Sequence, residues 1–237
     1  MAKKEKNYKS SFTMIEEAYK KIKTMIFRQN MVGGQRLVGK DLSEKLHMSR
    51  TPIINALFLL EREGYVTFQP YRGFFVKSAD IEETRELFEV REALEVMAVQ
   101  LAIERMEDES LGPLEEIAKR HAEYMPGVYD RQKIALGVEF HLQIARMSKN
   151  KKILQLLKTN LEYEYTRYTY KYADITRMEP AVEEHYEILE AIRNKNLTKS
   201  IKLIRRHVQQ NKNHVINTLK EQEEAEVELW FDNGTVL

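Results

Sequence analysis

From residue 80 onward the apolar side chains recur every three or four residues, and no segment alternates as a strand would. This spacing places apolar side chains on one face of an α-helix. Short breaks divide the segment into six predicted helices, at residues 80–107, 110–125, 128–148, 151–173, 178–194 and 197–224. Six helices of this length can bury a core of their own. The sequence therefore predicts an all-α six-helix bundle for the C-terminal part of the chain.

The N-terminal part has shorter helical patterns followed by two β-type runs. The predicted elements are helices at residues 13–29, 39–46 and 52–62 and strands at residues 65–69 and 74–76. Thr51 suits an N-cap and Pro52 suits the first helical position, where a missing N–H needs no partner. Two short helices across a tight turn, followed by a hairpin, predict a winged helix-turn-helix. The fold class is thus mostly α, with a small β-hairpin in the first domain.

The two parts of the chain carry opposite charges. The whole chain has a net charge of +1, but residues 1–77 contain 15 Lys and Arg against 7 Asp and Glu, a net of +8, which leaves −7 for the remainder. This asymmetry favours a polyanion as the partner of the first part. The predicted division is a basic tail at 1–11, a winged-helix DNA-binding domain at 12–77, a linker at 78–80, a helical domain at 81–224 and a tail at 225–237.

Missing patterns exclude several classes of protein. The chain has no cysteine, which excludes a disulfide scaffold, a zinc ribbon and a thiol nucleophile. It shows no glycine-rich phosphate loop and no paired Glu-x-x-His segments, so a metal-dependent helical-bundle enzyme is an alternative that we disfavour. It also shows no secretory signal and no apolar stretch that would span a bilayer, so we expect a cytoplasmic protein with no membrane partner.

The predicted turn before the third helix presents polar residues suited to reading DNA. The first turn of that helix, placed in the major groove, would expose Ser49, Arg50, Thr51 and Asn55. Arginine forms paired hydrogen bonds with guanine, and asparagine does so with adenine. The hairpin tip adds Arg72 and Gly73, which suit a phosphate or the minor groove.

These residues belong to a pattern, over residues 12–78, that resembles the winged-helix domain of GntR-family bacterial transcription regulators. The pattern comprises Arg36-Leu37, Asp41-Leu42, Ser49-Arg50-Thr51-Pro52, Ala56-Leu57, Leu60-Glu61, Glu63-Gly64 and Arg72-Gly73-Phe74-Phe75-Val76. The resemblance implies operator contacts by Arg36, Arg50, Thr51 and Gly73. It also implies a homodimer on a palindromic site in double-stranded DNA, since two recognition helices can read two half-sites one helical turn apart.

Two positions depart from the GntR pattern. Ile54 stands where the family usually has an arginine, two residues after the proline of the third helix. Lys40 stands where an acidic residue is common. Because the missing arginine removes one phosphate or base contact, we expect the operator sequence to differ from the family's usual site.

Three histidines lie on the predicted apolar faces of three different helices: His141, His185 and His207. A single histidine in such a place is usually a hydrogen-bonded core residue. Three of them would each need a buried partner. One divalent ion, zinc or nickel, would satisfy all three at once.

The helical part resembles the FCD effector domain of the FadR subfamily of GntR regulators. The supporting residues are Arg91-Glu92-Ala93-Leu94-Glu95, Phe140-His141, Ser148-Lys149-Asn150, His185-Tyr186-Glu187-Ile188, Ala191-Ile192 and His207. The resemblance implies a metal on the three histidines and a small carboxylate effector that contacts Arg91 and Asn150. For Arg91, a salt bridge to Glu95 four residues later is the alternative.

The expected metal site lacks one residue. Many FCD members place an aspartate four residues before the first histidine, and this chain has Gly137 there. Two arrangements therefore stay open. In one, an ion on three imidazoles is completed by water or by an effector oxygen. In the other, a metal-free cavity binds an organic ligand directly.

The two resemblances together predict a DNA-binding transcription regulator of bacterial metabolism that responds to a small ligand. Loss of DNA binding when the effector binds is the commoner arrangement among relatives, which favours a repressor. An architectural DNA-binding protein without a ligand is the alternative.

Overall fold

The computed structural model describes residues 2–28, 31–107, 111–126, 131–167 and 177–232. Contacts divide the chain into two compact units, one made mainly of the residues up to Ala79 and one made mainly of those from Asp80 onward. We call them the N-terminal unit and the C-terminal unit.

The N-terminal unit contains three helices and a small antiparallel sheet. Its elements are α1 (Ala2–Arg28), β1 (Arg36–Leu37), α2 (Gly39–Leu46), α3 (Arg50–Arg62), β2 (Val66–Gln69) and β3 (Gly73–Val76). The strand order is β1-β3-β2, with Arg36 opposite Phe75 and Thr67 opposite the same residue from the other side. The predicted hairpin is β2–β3. The sheet has one more strand, β1, which was not predicted because a segment of two residues is too short to show an alternating pattern.

The core of the N-terminal unit lies mainly between α1 and α3. In the described part of the chain the buried residues of α1 begin at Ala18 and those of α3 at Pro52, and both sets recur at helical spacing, as the periodicity predicts. The fully buried side chains include Ile22, Ile26, Ile53, Leu57 and Leu60. Burying each such side chain stabilises the fold by about 1.5 to 3 kcal/mol before the loss of chain entropy is counted. Because one face of α3 is held in this core, its opposite face is exposed to solvent.

Two helix starts differ from the predictions. Helix α1 begins at Ala2, so residues 2–11, which were predicted to be a tail, continue the helix. Helix α3 begins at Arg50 with Ser49 as its N-cap, so Thr51 is not the cap and Pro52 stands at the third helical position. Proline is tolerated there for the same reason as at the first position, since the N–H groups of the first turn have no partner within the helix.

The C-terminal unit contains six helices in the described part of the chain, as predicted, and no strand among those residues. They are α4 (Ile81–Glu104), α5 (Gly112–Glu123), α6 (Arg131–Met147), α7 (Lys151–Arg167), α8 (Met178–Arg193) and α9 (Leu197–Asp232). The carboxylate of Asp80 caps α4 by accepting a hydrogen bond from the Glu83 N–H. Helix α9 continues past the predicted end at residue 224 into the predicted tail, and residues 233–237 lie outside the described residues.

One apolar core joins the helices of the C-terminal unit, and its buried members include Val99, Leu114, Phe140, Leu157 and Ile188. Helix α4 packs on α6 and α9, while α8 packs on α5 and α9. The inner faces of α4, α5, α6, α8 and α9 therefore meet in one region. No described helix is long and apolar enough to cross a bilayer.

Candidate functional sites

The first candidate site is the start of α3, after the turn that follows α2. That turn is tight because His47 adopts a left-handed backbone (φ 53°) and its N–H bonds to carbonyl groups of α2. Ile53 points into the core, whereas Ser49, Arg50, Thr51 and Asn55 are exposed. The structure thus exposes the four predicted base-reading residues at the N-terminal end of α3.

The second part of this surface is the turn between β2 and β3. Arg72 is exposed. Gly73 has a φ of 96°, a backbone conformation that residues other than glycine rarely adopt. A Cβ atom at Gly73 would lie 4.0 Å from Nη2 of Arg36, so the Arg36 guanidinium lies beside the turn. The sheet register therefore brings the predicted residues Arg36, Arg72 and Gly73 together.

The two positions that depart from the GntR pattern have different surroundings. Ile54 is half-buried, and its Cδ1 lies 3.0 Å from the place of a Cβ atom on Gly39, so it packs α3 against α2. Lys40 is exposed and forms a loose ion pair, 3.9 Å, with Glu44 one turn later. At position 54 this chain has a packing residue where an arginine would offer a DNA contact.

The second candidate site is a buried cluster of histidines in the C-terminal unit. The structure brings together His141 of α6, His185 of α8 and His207 of α9, which are 3%, 2% and 1% exposed. One ring nitrogen from each lies within 4.8 Å of the other two. The closest pair is Nε2 of His141 and Nε2 of His207, 3.1 Å apart.

Buried carboxylates hold the outer nitrogens of two of these rings. His207 Nδ1 lies 2.6 Å from Oε2 of Glu184. His141 Nδ1 forms an ion-pair contact at 2.7 Å with Oε2 of Glu95, at an angle unlike that of a regular hydrogen bond. A carboxylate beside Nδ1 favours the proton on that nitrogen and leaves Nε2 with a free electron pair. Both rings thus turn an electron pair toward the centre of the cluster.

Asn211 supports this assignment for His207. The Asn211 side-chain oxygen accepts a hydrogen bond from Nε of Arg177 at 3.0 Å, which orients the amide. Its Nδ2 atom is then 2.9 Å from Nε2 of His207. Because an amide nitrogen only donates, His207 Nε2 carries no proton, and a bound ion would take the electron pair that Asn211 meets here.

The donor set fits a divalent ion of the kind that imidazole ligands prefer. With both protons on the Nδ1 atoms, the two Nε2 atoms at 3.1 Å repel each other unless a cation lies between them. Two imidazoles on one tetrahedral zinc ion would be about 3.3 Å apart, close to the distance observed. Burial, with the charges of neighbouring groups, lowers the pKa of His207 to about 4 and that of His185 well below its ordinary value. These two rings are therefore neutral near pH 7, the form that binds metal.

Arg91 lies beside this cluster in a buried charge network. Its Nε donates to Oε1 of Glu95 at 2.6 Å, and its Nη1 donates to Oε2 of Glu164 at 2.9 Å. Burial raises the pKa of Glu95, but the neighbouring His141 ring and Arg91 guanidinium outweigh it and hold that pKa at about 2. Burial raises the pKa of Glu164, although Arg91 opposes the shift. The contact with Glu95, the predicted alternative to effector binding, is thus present.

Asn150 lies at the start of α7, where its side chain has a local role. The side-chain oxygen accepts hydrogen bonds from the N–H groups of Lys152 and Ile153, at 3.0 and 3.2 Å, and so caps the helix. The prediction that Asn150 contacts an effector therefore depends on the family resemblance alone.

Four buried residues of this region were not among the predicted site residues: Glu95, His121, Lys133 and Glu184. Lys133 precedes Gly137 and His141 by one and two turns, so the three share a face of α6, and its Nζ donates to the His121 carbonyl at 2.5 Å. That spacing was available in the sequence. Glu184 could not be identified as a site residue from the sequence. It is next to His185 along the chain, whereas the ring that it contacts, His207, is on another helix.

Two family models match the chain. A model described as bacterial regulatory proteins, gntR family, matches residues 14–76, and a model described as FCD domain matches residues 86–210, more than half of the chain.

Relatives and solved structures agree with these matches. The chain is 27% identical to the HTH-type transcriptional regulator YdhC of Bacillus subtilis over 207 residues, 87% of this chain and 92% of that protein. It is similar in fold to E. coli McbR/YncC, with a TM-score of 0.71, 24% identity and coverage of 89% of this chain and 98% of the other. A GntR transcriptional regulator of Rhodococcus sp. RHA1 gives a TM-score of 0.73 at 20% identity, over 86% of this chain and 98% of the other.

Proposed function

Because this chain belongs to the GntR family of bacterial transcriptional regulators and carries an FCD domain, we propose that it is a repressor whose binding to DNA is controlled by a small carboxylate. The family and its relatives are transcriptional regulators and not enzymes. The proposal adds the direction of control, the ligand class, the partner copy and the residues in each role.

DNA reading is assigned to the exposed turn of α3 and to the β2–β3 turn. Arg50 and Asn55 suit hydrogen bonds to base edges, with Ser49 and Thr51 on the adjacent phosphates. Arg36, Arg72 and Gly73 suit the backbone or the minor groove at the edge of the site. Support comes from the exposure of all the side chains involved and from the net charge of +8 over residues 1–77.

The operator is proposed to be palindromic and to bind a homodimer. One recognition helix reads about half of a turn of DNA, too little for a specific site. Two copies related by a two-fold axis read two half-sites one turn apart, and they double the number of phosphate contacts.

Ligand sensing is assigned to the buried cluster. His141, His185 and His207 would hold a zinc or nickel ion, which when bound supplies a positive centre with open positions for carboxylate oxygens. The observation that carries this assignment is the buried cluster of three imidazoles, in which Nε2 of His141 and Nε2 of His207 lie 3.1 Å apart. Arg91 would release Glu164 or Glu95 and bind the same ligand instead. Asn150 is proposed as a second contact to the ligand.

The test begins with the full-length protein and a library of random DNA duplexes. Selected sequences are expected to share a palindrome, and anisotropy titrations are expected to give two chains per site. Zinc-loaded protein is then screened with small carboxylic acids, and at least one is expected to release the DNA. Binding that ignores sequence would contradict the operator, and DNA affinity unchanged by every acid would favour the architectural alternative.

A further inference from the structure

One buried histidine is not among the three that face the candidate metal site. His121 lies on α5 and is 3% exposed. Its Nδ1 is 3.2 Å from Nδ1 of His185, and the two ring centroids are 4.8 Å apart. A buried imidazole needs a hydrogen-bond partner for each of its two nitrogens, so a partner has to be identified for both nitrogens of His121.

The protonation of His185 decides the tautomer of His121. His185 Nε2 is buried and has no hydrogen-bond partner among the described residues, so it is free to bind an ion. A neutral ring that binds metal through Nε2 carries its proton on Nδ1. That N–H faces His121, whose Nδ1 must then accept it and carry no proton. The remaining proton of the neutral His121 ring is therefore on Nε2.

The Nε2–H of His121 faces the space beside Gly137. A Cβ atom on Gly137 would lie 3.7 Å from His121 Nε2 and 3.8 Å from His185 Cε1, both ordinary contact distances. Position 137 thus points at the two rings, and a glycine there places no side-chain atom between the α6 backbone and them. Lys133, one turn earlier on α6, donates to the His121 carbonyl and adds positive charge nearby.

We propose that His121 positions His185 through Nδ1 and binds an oxygen of an anionic ligand, of the small carboxylate class, through Nε2–H in the space left by Gly137. The proposal rests on the metal site of the proposed function. His121 would orient His185, as Glu95 orients His141 and Glu184 orients His207. It would also contact the ligand. The protein therefore offers a donor at the place where a carboxylate side chain at 137 would lie.

The first experiment measures affinity for Co²⁺ by competition with a chelator, in the full-length protein. His121→Phe keeps an aromatic ring but has no hydrogen bonds, and we expect its Co²⁺ affinity to fall roughly tenfold to a hundredfold, as for other residues that orient a metal ligand. His121→Gln keeps one acceptor and one donor and is expected to recover most of that loss. Circular dichroism at 222 nm checks that each variant is folded.

The second experiment titrates acetate into the Co²⁺-loaded proteins and follows the visible absorption of the ion. Wild type is expected to respond to acetate, and His121→Phe to require about ten times more acetate, the effect of one hydrogen bond to a charged group. Gly137→Asp places a carboxylate in the proposed space, so it should bind Co²⁺ and no longer respond to acetate.

The outcomes separate the two proposals. If wild type and His185→Ala bind Co²⁺ equally or not at all, the metal site of the proposed function is wrong and the inference falls with it. If His185→Ala loses Co²⁺ while His121→Phe matches wild type for Co²⁺ and acetate, the proposed function stands and the role of His121 is overturned. An unchanged acetate response in Gly137→Asp would overturn the placement of the anion.

Discussion

At the scale of single residues, most of the proposed chemistry depends on which nitrogen or oxygen faces which neighbour. Sequence reasoning found His141, His185 and His207 because each lies at an apolar position of its helix. It did not find Glu184 or His121 as their partners, because those contacts join residues 23 and 64 positions apart. Periodicity reports which face of a helix is buried, whereas the neighbours on that face depend on how the helices pack.

Arg50→Ala is expected to weaken specific DNA binding by about 1 to 3 kcal/mol, roughly 5- to 150-fold, because it removes a side chain suited to paired hydrogen bonds with a base. Fluorescence anisotropy with the selected operator measures the change. Arg62→Ala is the matched control, since Arg62 is also exposed but lies at the other end of α3. Equal effects of the two substitutions would contradict the assignment of the recognition turn.

Glu184→Gln is expected to lower zinc affinity roughly tenfold to a hundredfold, because the amide no longer favours the proton on His207 Nδ1 as a carboxylate does. Competition with a chelator measures the affinity. Glu187→Gln is the control, because Glu187 is exposed on the same helix and pairs with Arg206. If the two variants bind zinc equally, Glu184 does not orient a metal ligand.

At the scale of elements, the turn between β2 and β3 requires glycine at position 73. Gly73→Ala is expected to cost about 1 to 3 kcal/mol of stability, because a side chain is strained at its φ of 96°. It is also expected to weaken DNA binding, since the new methyl group lies next to Arg36. Thermal denaturation and anisotropy measure the two effects.

Gly34→Ala is the control for that prediction. Gly34 also has a positive φ, 77°, but nothing lies within 4 Å of a Cβ atom there. It should lose stability as Gly73→Ala does while keeping its affinity for the operator. If both variants lose DNA affinity in proportion to their loss of stability, the β2–β3 turn has no specific role in DNA binding.

The elements themselves were largely predictable from sequence. The six helices of the C-terminal unit have long apolar patterns bounded by clear breaks. Their limits are close to those predicted except at the end of α9, while the predicted limits at 128 and 173 lie outside the described residues. The exceptions are short or polar. Strand β1 has two residues, the first residues of α1 are a charged segment, and the last residues of α9 show no helical spacing of apolar residues.

At the scale of the whole molecule, the metal-free protein is expected to lose stability as the pH falls. The pKa values of His207 and His121 are lowered from 6.5 to about 4 and about 3, mainly by burial. Unfolding lets these rings take up protons, so stability is full above about pH 6.5 and declines as the pH falls toward 4 and 3. The carboxyls of Glu95 and Glu184, with pKa values of about 2, add a loss between pH 4.5 and 2.

The measurement is the midpoint of thermal unfolding, with a chelator present, at several values between pH 8 and pH 4. Tm is expected to fall continuously below about pH 6.5. Zinc-loaded protein should have a higher Tm at pH 8 and lose that advantage in acid, because protons compete with the ion for the rings. A Tm that is constant or rises toward pH 4 would contradict neutral, buried histidines.

The burial of the histidine cluster also has a consequence for time. Its three rings are 1% to 3% exposed, so a ligand reaches them only when the surrounding helices part locally. Association would then be slower than diffusion allows, and its rate would level off at high ligand concentration, because each molecule must wait for an opening. The speed with which such a regulator answers its ligand would be set by the motions of its own helices.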